Sequence, residues 1–243
     1  MFDDVIVVSR QLRTTTGEEV RALESDLAPM PPGYAEFVTA LGEGTFGDSL
    51  QVKLPATVRR DLPEARERWS DYWFWDERLL TREQAAGAVL VADTDTGDEV
   101  VVHPAHRGRL LVLPRDSEEV VDAGSTLGEL LDWYCTSGLL TPPTNVRWFM
   151  SWAGRTTYQS WHAGDGPRMR AAALALGLHA AVQEYDDGAV TLVLPHVGGR
   201  LSITPDGDAS VRYDTGLGSR FEPIARALAE AGAQAGAPWG DVD

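Results

Sequence analysis

The glycines Gly42, Gly44 and Gly47 follow the G-x-G-x-x-G spacing of loops that hold phosphate groups. In a dinucleotide-binding fold this loop follows a strand and opens a helix, whose N-terminus receives the pyrophosphate. Here the order is reversed, because the apolar spacing of residues 34–41 predicts a helix that Gly42 then closes as a left-handed residue. The kinase form of the motif also lacks its H-R-D and D-F-G partners. We therefore predict no nucleotide and no other cofactor.

Residues 93–99 carry carboxylates in a pattern similar to the opening of a calcium loop. An EF-hand needs glycine at its sixth position and glutamate at its twelfth, whereas Gly97 is fifth and Pro104 is twelfth here. The calcium interpretation therefore fails, and a solvated β-turn is the plain alternative. The functional alternative is an acidic lip for a basic ligand, formed by Asp93, Asp95, Asp98 and Glu99.

Histidine and cysteine do not follow a known catalytic or metal-binding pattern. His103 and His106 are three residues apart, but a metal site usually needs three or four ligands and no H-E-x-x-H motif is present. The single cysteine, Cys135, excludes an intramolecular disulfide and is expected to be a small buried side chain. The nucleophile motif G-x-S-x-G is also absent. We therefore predict neither a metal site nor a catalytic set.

A charged segment, residues 61–82, contains the aromatic residues Trp69, Tyr72, Trp73 and Trp75. On a helix the first three would share one face, with acidic residues around it. Aromatic side chains beside charge are typical of interface hot spots and also of half-buried core edges. Core packing is the more frequent outcome. The binding interpretation makes these four residues, together with the acidic lip, the predicted partner-binding site.

The chain of 243 residues has a formal net charge of −16, from 37 acidic and 21 basic side chains. This charge disfavours binding to nucleic acid or to an anionic membrane, since both would be repelled. It permits fast capture of a basic partner, although acidity also serves solubility alone. No apolar run is long enough to span a membrane, and the acidic start is unlike a basic signal peptide. We therefore expect a cytoplasmic protein.

The first half of the chain predicts a helix–sheet–helix layout. A capping box from Thr16 to Glu19 starts one helix, and residues 34–41 form the next. Short apolar stretches predict strands at residues 5–8, 49–54, 89–92, 99–103 and 109–113. Residues 126–134 predict a closing helix.

Three of these segments, in this order, resemble the SUKH superfamily, which includes bacterial immunity proteins and fungal cell-wall assembly regulators. The helix preceded by Met30 and Pro31, with its glycine-rich exit, is similar to the start of that domain. The strand–turn–strand of residues 88–102 is similar to its middle, and residues 125–134 to its closing helix. The resemblance covers about residues 16–135. It implies a mixed helix and antiparallel-sheet domain that binds other proteins.

The second half predicts a smaller α+β region that resembles no family known to us. Strands are expected at residues 146–152, 155–161, 180–185, 189–194, 200–204 and 209–213, with the first two forming a hairpin. Asp165 caps one helix, and a second amphipathic helix includes Phe221 and Leu228. The predicted organisation is a domain of residues 1–138, a linker of residues 139–145, a domain of residues 146–233 and a mobile tail of residues 234–243.

The sequence favours a non-catalytic binding protein over an enzyme. Through its resemblance to SUKH proteins, the chain is expected to be a bacterial immunity-type protein that neutralises a cognate toxin, such as a nuclease, by protein–protein binding. The basic phosphate-binding surface of a nuclease would suit an acidic partner. Two alternatives stay open, a cytoplasmic regulatory scaffold and a small-molecule enzyme with its site in the C-terminal domain.

Overall fold

The computed structural model describes residues 2–154 and 156–238, and the chain divides into two compact units. The first unit contains the residues up to Asp4 together with Arg13–Pro143. The second contains Val5–Leu12 together with the chain from Thr144 onward. The division falls inside the predicted linker, residues 139–145. Residues 5–12 differ from the predicted assignment to the first domain, because their strand pairs with the strand that begins at Trp148.

Helices and strands are mixed along the chain, which confirms the predicted α+β class. In chain order, the α-helices are α1 (Gly17–Asp26), α2 (Tyr34–Ala40), α3 (Pro55–Asp71), α4 (Arg82–Ala85), α5 (Leu127–Thr136), α6 (Gly166–Ala175) and α7 (Gly218–Glu230). The strands are β1 (Ile6–Val7), β2 (Gly44–Phe46), β3 (Leu50–Val52), β4 (Val89–Thr94), β5 (Glu99–Val102), β6 (Leu111–Leu113), β7 (Val121–Asp122), β8 (Trp148–Ser151), β9 (Thr156–His162), β10 (Ala181–Glu184), β11 (Val190–Leu194), β12 (Gly199–Ile203), β13 (Ala209–Asp214) and β14 (Gln234–Ala235). Among the described residues, no helix is long and apolar enough to cross a membrane.

The first unit is built on a sheet in which β2 to β7 pair in sequence order, each antiparallel to the next. The long connection between β3 and β4 contains α3, which packs against β4. The sequence positions this helix by its apolar residues, since Val58, Leu62 and Trp69 lie on its buried side. Near the C-terminus of α3, the side chains of Arg68 and Trp69 contact Glu99 at the start of β5.

The glycine segment ends a helix, as the sequence predicts. Gly42 has a φ of 85°, in the left-handed region, and its amide donates to the carbonyl of Phe37 at 3.2 Å. A Cβ at this position would lie 2.0 Å from the carbonyl oxygen of Arg13, so the position requires glycine. Strand β2 begins at Gly44. The motif therefore leads from a helix into a strand, which confirms the predicted order.

Helix α3 ends at Asp71, and the prediction that Trp69, Tyr72 and Trp73 share one helical face is wrong. Tyr72 has a φ of −128° and a ψ of 40°, outside helical values, while its amide still donates to the carbonyl of Arg68 at 2.9 Å. The residues from Trp73 onward therefore lie in the loop that follows the helix. The apolar spacing could not show this end, because aromatic residues continue past it without a glycine or proline stop.

The second unit has a six-stranded antiparallel sheet in the order β10-β11-β12-β13-β9-β14. Helices α6 and α7 supply Met169 and Phe221 to one core with Leu192, Leu201 and Val211 from the sheet. The cap of α6 is as predicted, since the side chain of Asp165 accepts the amide of the third helical residue. The strand alternation that the sequence shows therefore places one apolar sheet face against the two helices.

Two expectations about the second unit differ from the structure. The predicted hairpin of residues 146–152 and 155–161 is wrong, because β9 pairs with β13 and β14 while β8 pairs in parallel with β1; residue 155 lies outside the described residues. The expected mobile tail starts with a strand, since Gln234 and Ala235 pair with the edge of β9. Residues 239–243 of that tail lie outside the described residues.

Candidate functional site

Two segments that the sequence selects are held against the same stretch of the first unit. We call residues 72–75 the aromatic loop and residues 95–98, which connect β4 to β5, the acidic turn. Both form hydrogen bonds to residues 114–119, the stretch that follows β6. The structure thus brings together two segments that are about twenty residues apart in the sequence.

The aromatic loop is fixed by its last tryptophan. Trp75 is buried, and its indole Nε1 donates to the carbonyl of Pro114 at 2.7 Å. The rings of Trp73 and Phe74 pack on it, with centroids 5.2 Å and 4.2 Å from that of Trp75. The next amide, that of Asp76, donates to the carbonyl of Glu118 at 2.6 Å. These contacts give the loop a defined conformation, which lowers the entropy cost of binding a partner.

The acidic turn is organised around the buried carboxylate of Asp98. Its Oδ2 accepts the hydroxyls of Thr94 at 2.7 Å and Thr96 at 3.0 Å. Its Oδ1 accepts the amide of Arg115 at 2.9 Å, and the Arg115 guanidinium donates to the carbonyl of Thr96 at 2.8 Å. The carboxylate of Asp98 therefore accepts hydrogen bonds from the turn on its buried side, and it is not exposed to another molecule.

Glu99 joins the two segments to helix α3. This carboxylate is 5% exposed, and its Oε2 accepts the indole Nε1 of Trp69 at 2.6 Å. Its Oε1 forms an ion pair with the guanidinium of Arg68. Trp69 is 1% exposed and belongs to the core. The predicted partner residues Trp69 and Glu99 therefore contact each other inside the unit.

The exposed part of this region is smaller than the predicted site. Tyr72 is 75% exposed and Phe74 is 47% exposed, whereas Trp73 is half-buried. The predicted site left out Phe74, although this residue belongs to the same run of aromatic residues as Trp73 and Trp75. Glu118 and Glu119 are exposed on the neighbouring stretches, and so are the four carboxylates of Asp71, Glu77, Asp95 and Asp116. We call Tyr72, Phe74 and these four carboxylates the aromatic–acidic surface.

Asp93, the remaining predicted residue, serves a buried ion cluster. Its Oδ2 lies 2.7 Å from Nζ of Lys53, which is 7% exposed at the side chain and also lies 3.1 Å from Asp61. Burial raises the pKa of Asp93, while the charge of Lys53 acts in the opposite direction. A buried lysine needs such partners, because an unpaired buried charge is costly. This role is sufficient to explain Asp93 without a ligand.

The histidine pair and the cysteine have local structural explanations. The Nδ1 atom of His103 accepts the amide of Ala105 at 3.1 Å, and burial lowers the pKa of His103. The rings of His103 and His106 lie 5.6 Å apart, and the described residues include no group of three or more metal-binding side chains. Burial raises the pKa of Cys135 to about 11, so its thiol is protonated at neutral pH and a weak nucleophile.

A cavity in the second unit was not predicted from the sequence. It has a volume of about 460 Å³ and lies between α6 and two hairpin turns. Its wall is largely apolar, with Leu174, Val190 and Ile203 among the lining residues. The ionisable groups at this wall are Arg170 and Asp187. Arg170 is paired with Glu184, and Asp187 accepts the amide of Ala189, so both have structural roles.

No family model matches this chain, and no curated protein matches it in a sequence search. The resemblance to the SUKH superfamily therefore stays a prediction from the motifs. In the first unit, a loop anchored by Trp75 exposes two aromatic side chains, Tyr72 and Phe74, and the exposed carboxylates of Asp71 and Glu77 flank them in the sequence.

Proposed function

We propose that this protein is a non-catalytic binding protein whose aromatic–acidic surface holds a basic protein partner. The observation that carries the proposal is the exposure of Tyr72 and Phe74 on a loop that Trp75 anchors to the sheet. The SUKH-like motifs add support from the same unit. They suggest the immunity type, in which the partner is a toxin domain met in the cytoplasm and neutralised by stoichiometric binding.

The aromatic pair has the properties of a binding hot spot. Large aromatic side chains contribute most of the affinity in many interfaces, because they bury much area and lose few rotatable bonds. The anchored conformation of the loop removes part of the ordering cost that a flexible loop would carry. Tyr72 and Phe74 therefore supply the short-range, desolvated part of the proposed contact.

The carboxylates around the pair define the chemistry of the partner. Asp71, Asp95 and Asp116 are exposed, and the chain as a whole carries a net charge of −16. A basic surface would be attracted to this region, whereas an acidic one would be repelled. Nuclease domains that bind phosphate backbones carry such basic surfaces. A toxin of this class is therefore the partner that we propose.

The test is direct binding to any toxin-like domain that is encoded beside the gene, with affinity measured by calorimetry. The double variant Tyr72→Ala/Phe74→Ala should weaken binding by about a hundredfold, because each side chain is expected to act as a hot spot. Leu139→Ala is the matched control, since Leu139 is 48% exposed in the same unit but lies outside the surface. The control should keep the wild-type affinity.

Two outcomes would reject the proposal. Equal affinity of the double variant and the wild type would remove the aromatic loop from the interface. Failure to bind any neighbouring toxin domain would contradict the immunity role and favour the regulatory scaffold. The enzyme alternative would need chemistry at the 460 Å³ cavity, and turnover that survives loss of the aromatic pair would support it instead.

A further inference from the structure

The cavity of about 460 Å³ in the second unit extends to the hydrophobic core of that unit. Two of the residues that line it, Val190 and Ile203, are buried members of this core. Leu174 of α6 also lines the cavity and packs against the same core. Protein interiors are close-packed, and apolar atoms beside a void lose the contacts that a filled site would give. A ligand that fills the cavity would therefore gain contacts with apolar side chains.

Close backbone contacts hold the walls of the cavity in place. A Cβ at Gly166, the first residue of α6, would lie 2.4 Å from the carbonyl oxygen of Pro205, and a Cβ at Gly188 would lie 3.1 Å from the Pro205 ring. The turn at Gly188 is also closed by a hydrogen bond from its amide to the carbonyl of Tyr185 at 2.9 Å. The cavity is therefore formed before a ligand binds, which lowers the cost of binding.

The polar side chains of the wall already have partners within the unit. The guanidinium of Arg170 forms an ion pair with Glu184. The carboxylate of Asp187 accepts the amide of Ala189 at 2.9 Å, and the hydroxyl of Thr204 donates to a backbone carbonyl of its own turn at 3.2 Å. Among the described residues that line the cavity, one cation and one anion balance each other. The wall therefore offers a ligand apolar contact and no free charge.

We propose that this cavity is a binding site for a neutral, apolar small molecule built from linked or fused aromatic rings. Ligand pockets in proteins commonly have volumes of about 300–1,000 Å³ and mostly apolar walls, and this cavity has both properties. A cavity of about 150 Å³ holds one benzene molecule, so the volume here is sufficient for about two or three rings. An ionised ligand would lose its hydration without gaining a partner. The site is independent of the aromatic–acidic surface, because it lies in the other unit.

The experiment measures binding of N-phenylnaphthylamine to the full chain, through the fluorescence that this neutral dye gains when it leaves water. The fluorescence should saturate at one dye per chain, with a dissociation constant of about 10–100 µM for an apolar ligand of this size. The anionic analogue anilinonaphthalenesulfonate has the same rings with a sulfonate added. It should bind at least tenfold more weakly, because the wall has no free cation. Equal or tighter binding of the sulfonate would overturn the neutral ligand class.

The variant Ala171→Trp should weaken binding of the neutral dye at least tenfold, because Ala171 is an exposed residue of α6 at the cavity and the larger side chain would fill it. Ala229→Trp is the matched control, since Ala229 is an exposed alanine on α7 that does not line the cavity. If Ala171→Trp does not fold, Ala171→Leu takes its place.

Tyr72→Ala/Phe74→Ala should also keep the wild-type affinity for the dye, because the aromatic–acidic surface lies in the first unit. Loss of dye binding in this double variant would place the dye on that surface and overturn the proposal. Absence of a saturable signal, or unchanged affinity in the folded Ala171 variant, would overturn it as well.

Discussion

The exposure of the individual carboxylates determines which part of the predicted site is accessible to a partner. Asp95 is exposed on the acidic turn, whereas Asp98 and Glu99 are 7% and 5% exposed. Each buried carboxylate accepts several hydrogen bonds inside the unit. A variant that neutralises all three would therefore disturb the fold as well as the surface. Only substitutions at the exposed positions separate binding from stability.

Glu99→Ala tests the buried connection between helix α3 and the sheet. The change leaves the Trp69 indole without its acceptor at 2.6 Å and removes the ion-pair partner of Arg68. We expect a loss of about 2–3 kcal/mol in the free energy of unfolding, because a buried donor loses a charged acceptor. Urea denaturation of the folded variant measures this loss.

Glu119→Ala is the control for that change. Glu119 also pairs with an arginine, Arg78, at 2.9 Å, but both side chains are more than 60% exposed. Exposed ion pairs contribute at most about 1 kcal/mol, so this variant should be close to the wild type. A Glu99→Ala variant as stable as Glu119→Ala would contradict the structural role of Glu99.

The sequence could not separate these carboxylates, because exposure depends on contacts with distant residues. The sequence spacing of Asp93, Asp95, Asp98 and Glu99 is compatible with an exposed side chain at all four positions of a solvated turn. The amide of Arg115 binds Asp98 from seventeen residues away, and Trp69 binds Glu99 from thirty. Local patterns carry no information about such pairings.

Elements were predictable where their signals were local. The capping box at Thr16 and Glu19 forms as predicted, with the Glu19 amide donating to the Thr16 hydroxyl at 3.2 Å. The antiparallel strands of the second unit also follow their turns at Gly188 and Gly207, both with positive φ. The end of α3 was not predictable, since no stop residue marks it.

Gly42→Ala tests whether the turn from α2 to β2 requires glycine. The variant combines a strained positive φ with a Cβ placed 2.0 Å from the Arg13 carbonyl oxygen. The backbone strain alone costs about 1–2 kcal/mol. The clash must add to it by displacing the strand pairing of Arg13 with Glu43. We expect a loss clearly above 2 kcal/mol, measured by urea denaturation.

Gly108→Ala separates the two causes, because Gly108 lies in the same unit with a φ of 72°. Its added Cβ would meet the Ser125 carbonyl oxygen at 3.9 Å, an ordinary contact. This control should therefore lose only the strain of about 1–2 kcal/mol. Equal losses at Gly42 and Gly108 would show that the close approach to Arg13 does not limit the turn.

The sequence predicts the boundary near residues 139–145, but it does not predict that residues 5–12 belong to the second unit. Prolines and threonines in residues 139–145 mark the boundary between the units, and the structure divides after Pro143. The strand β1 belongs to the second unit because Ile6 and Val7 pair in parallel with Trp148 and Phe149. A parallel pairing across 142 residues leaves no local trace, so sequence patterns assign residues 5–12 by proximity alone.

Because the protein has a net charge of −16, the long-range attraction of the proposed basic partner would depend on the whole molecule and not on one residue. The on-rate should fall at least tenfold as ionic strength rises from about 0.02 M to 0.15 M, because screening removes the long-range attraction.

Asp95→Asn should lower the on-rate at low salt, and Asp187→Asn, which changes an exposed acid of the other unit, should lower it less. Tyr72→Ala should instead raise the off-rate, since short-range desolvated contacts hold a formed complex. Stopped-flow kinetics with the toxin domain distinguishes the two effects. An on-rate that is independent of salt would mean that acidity serves solubility and does not steer the partner.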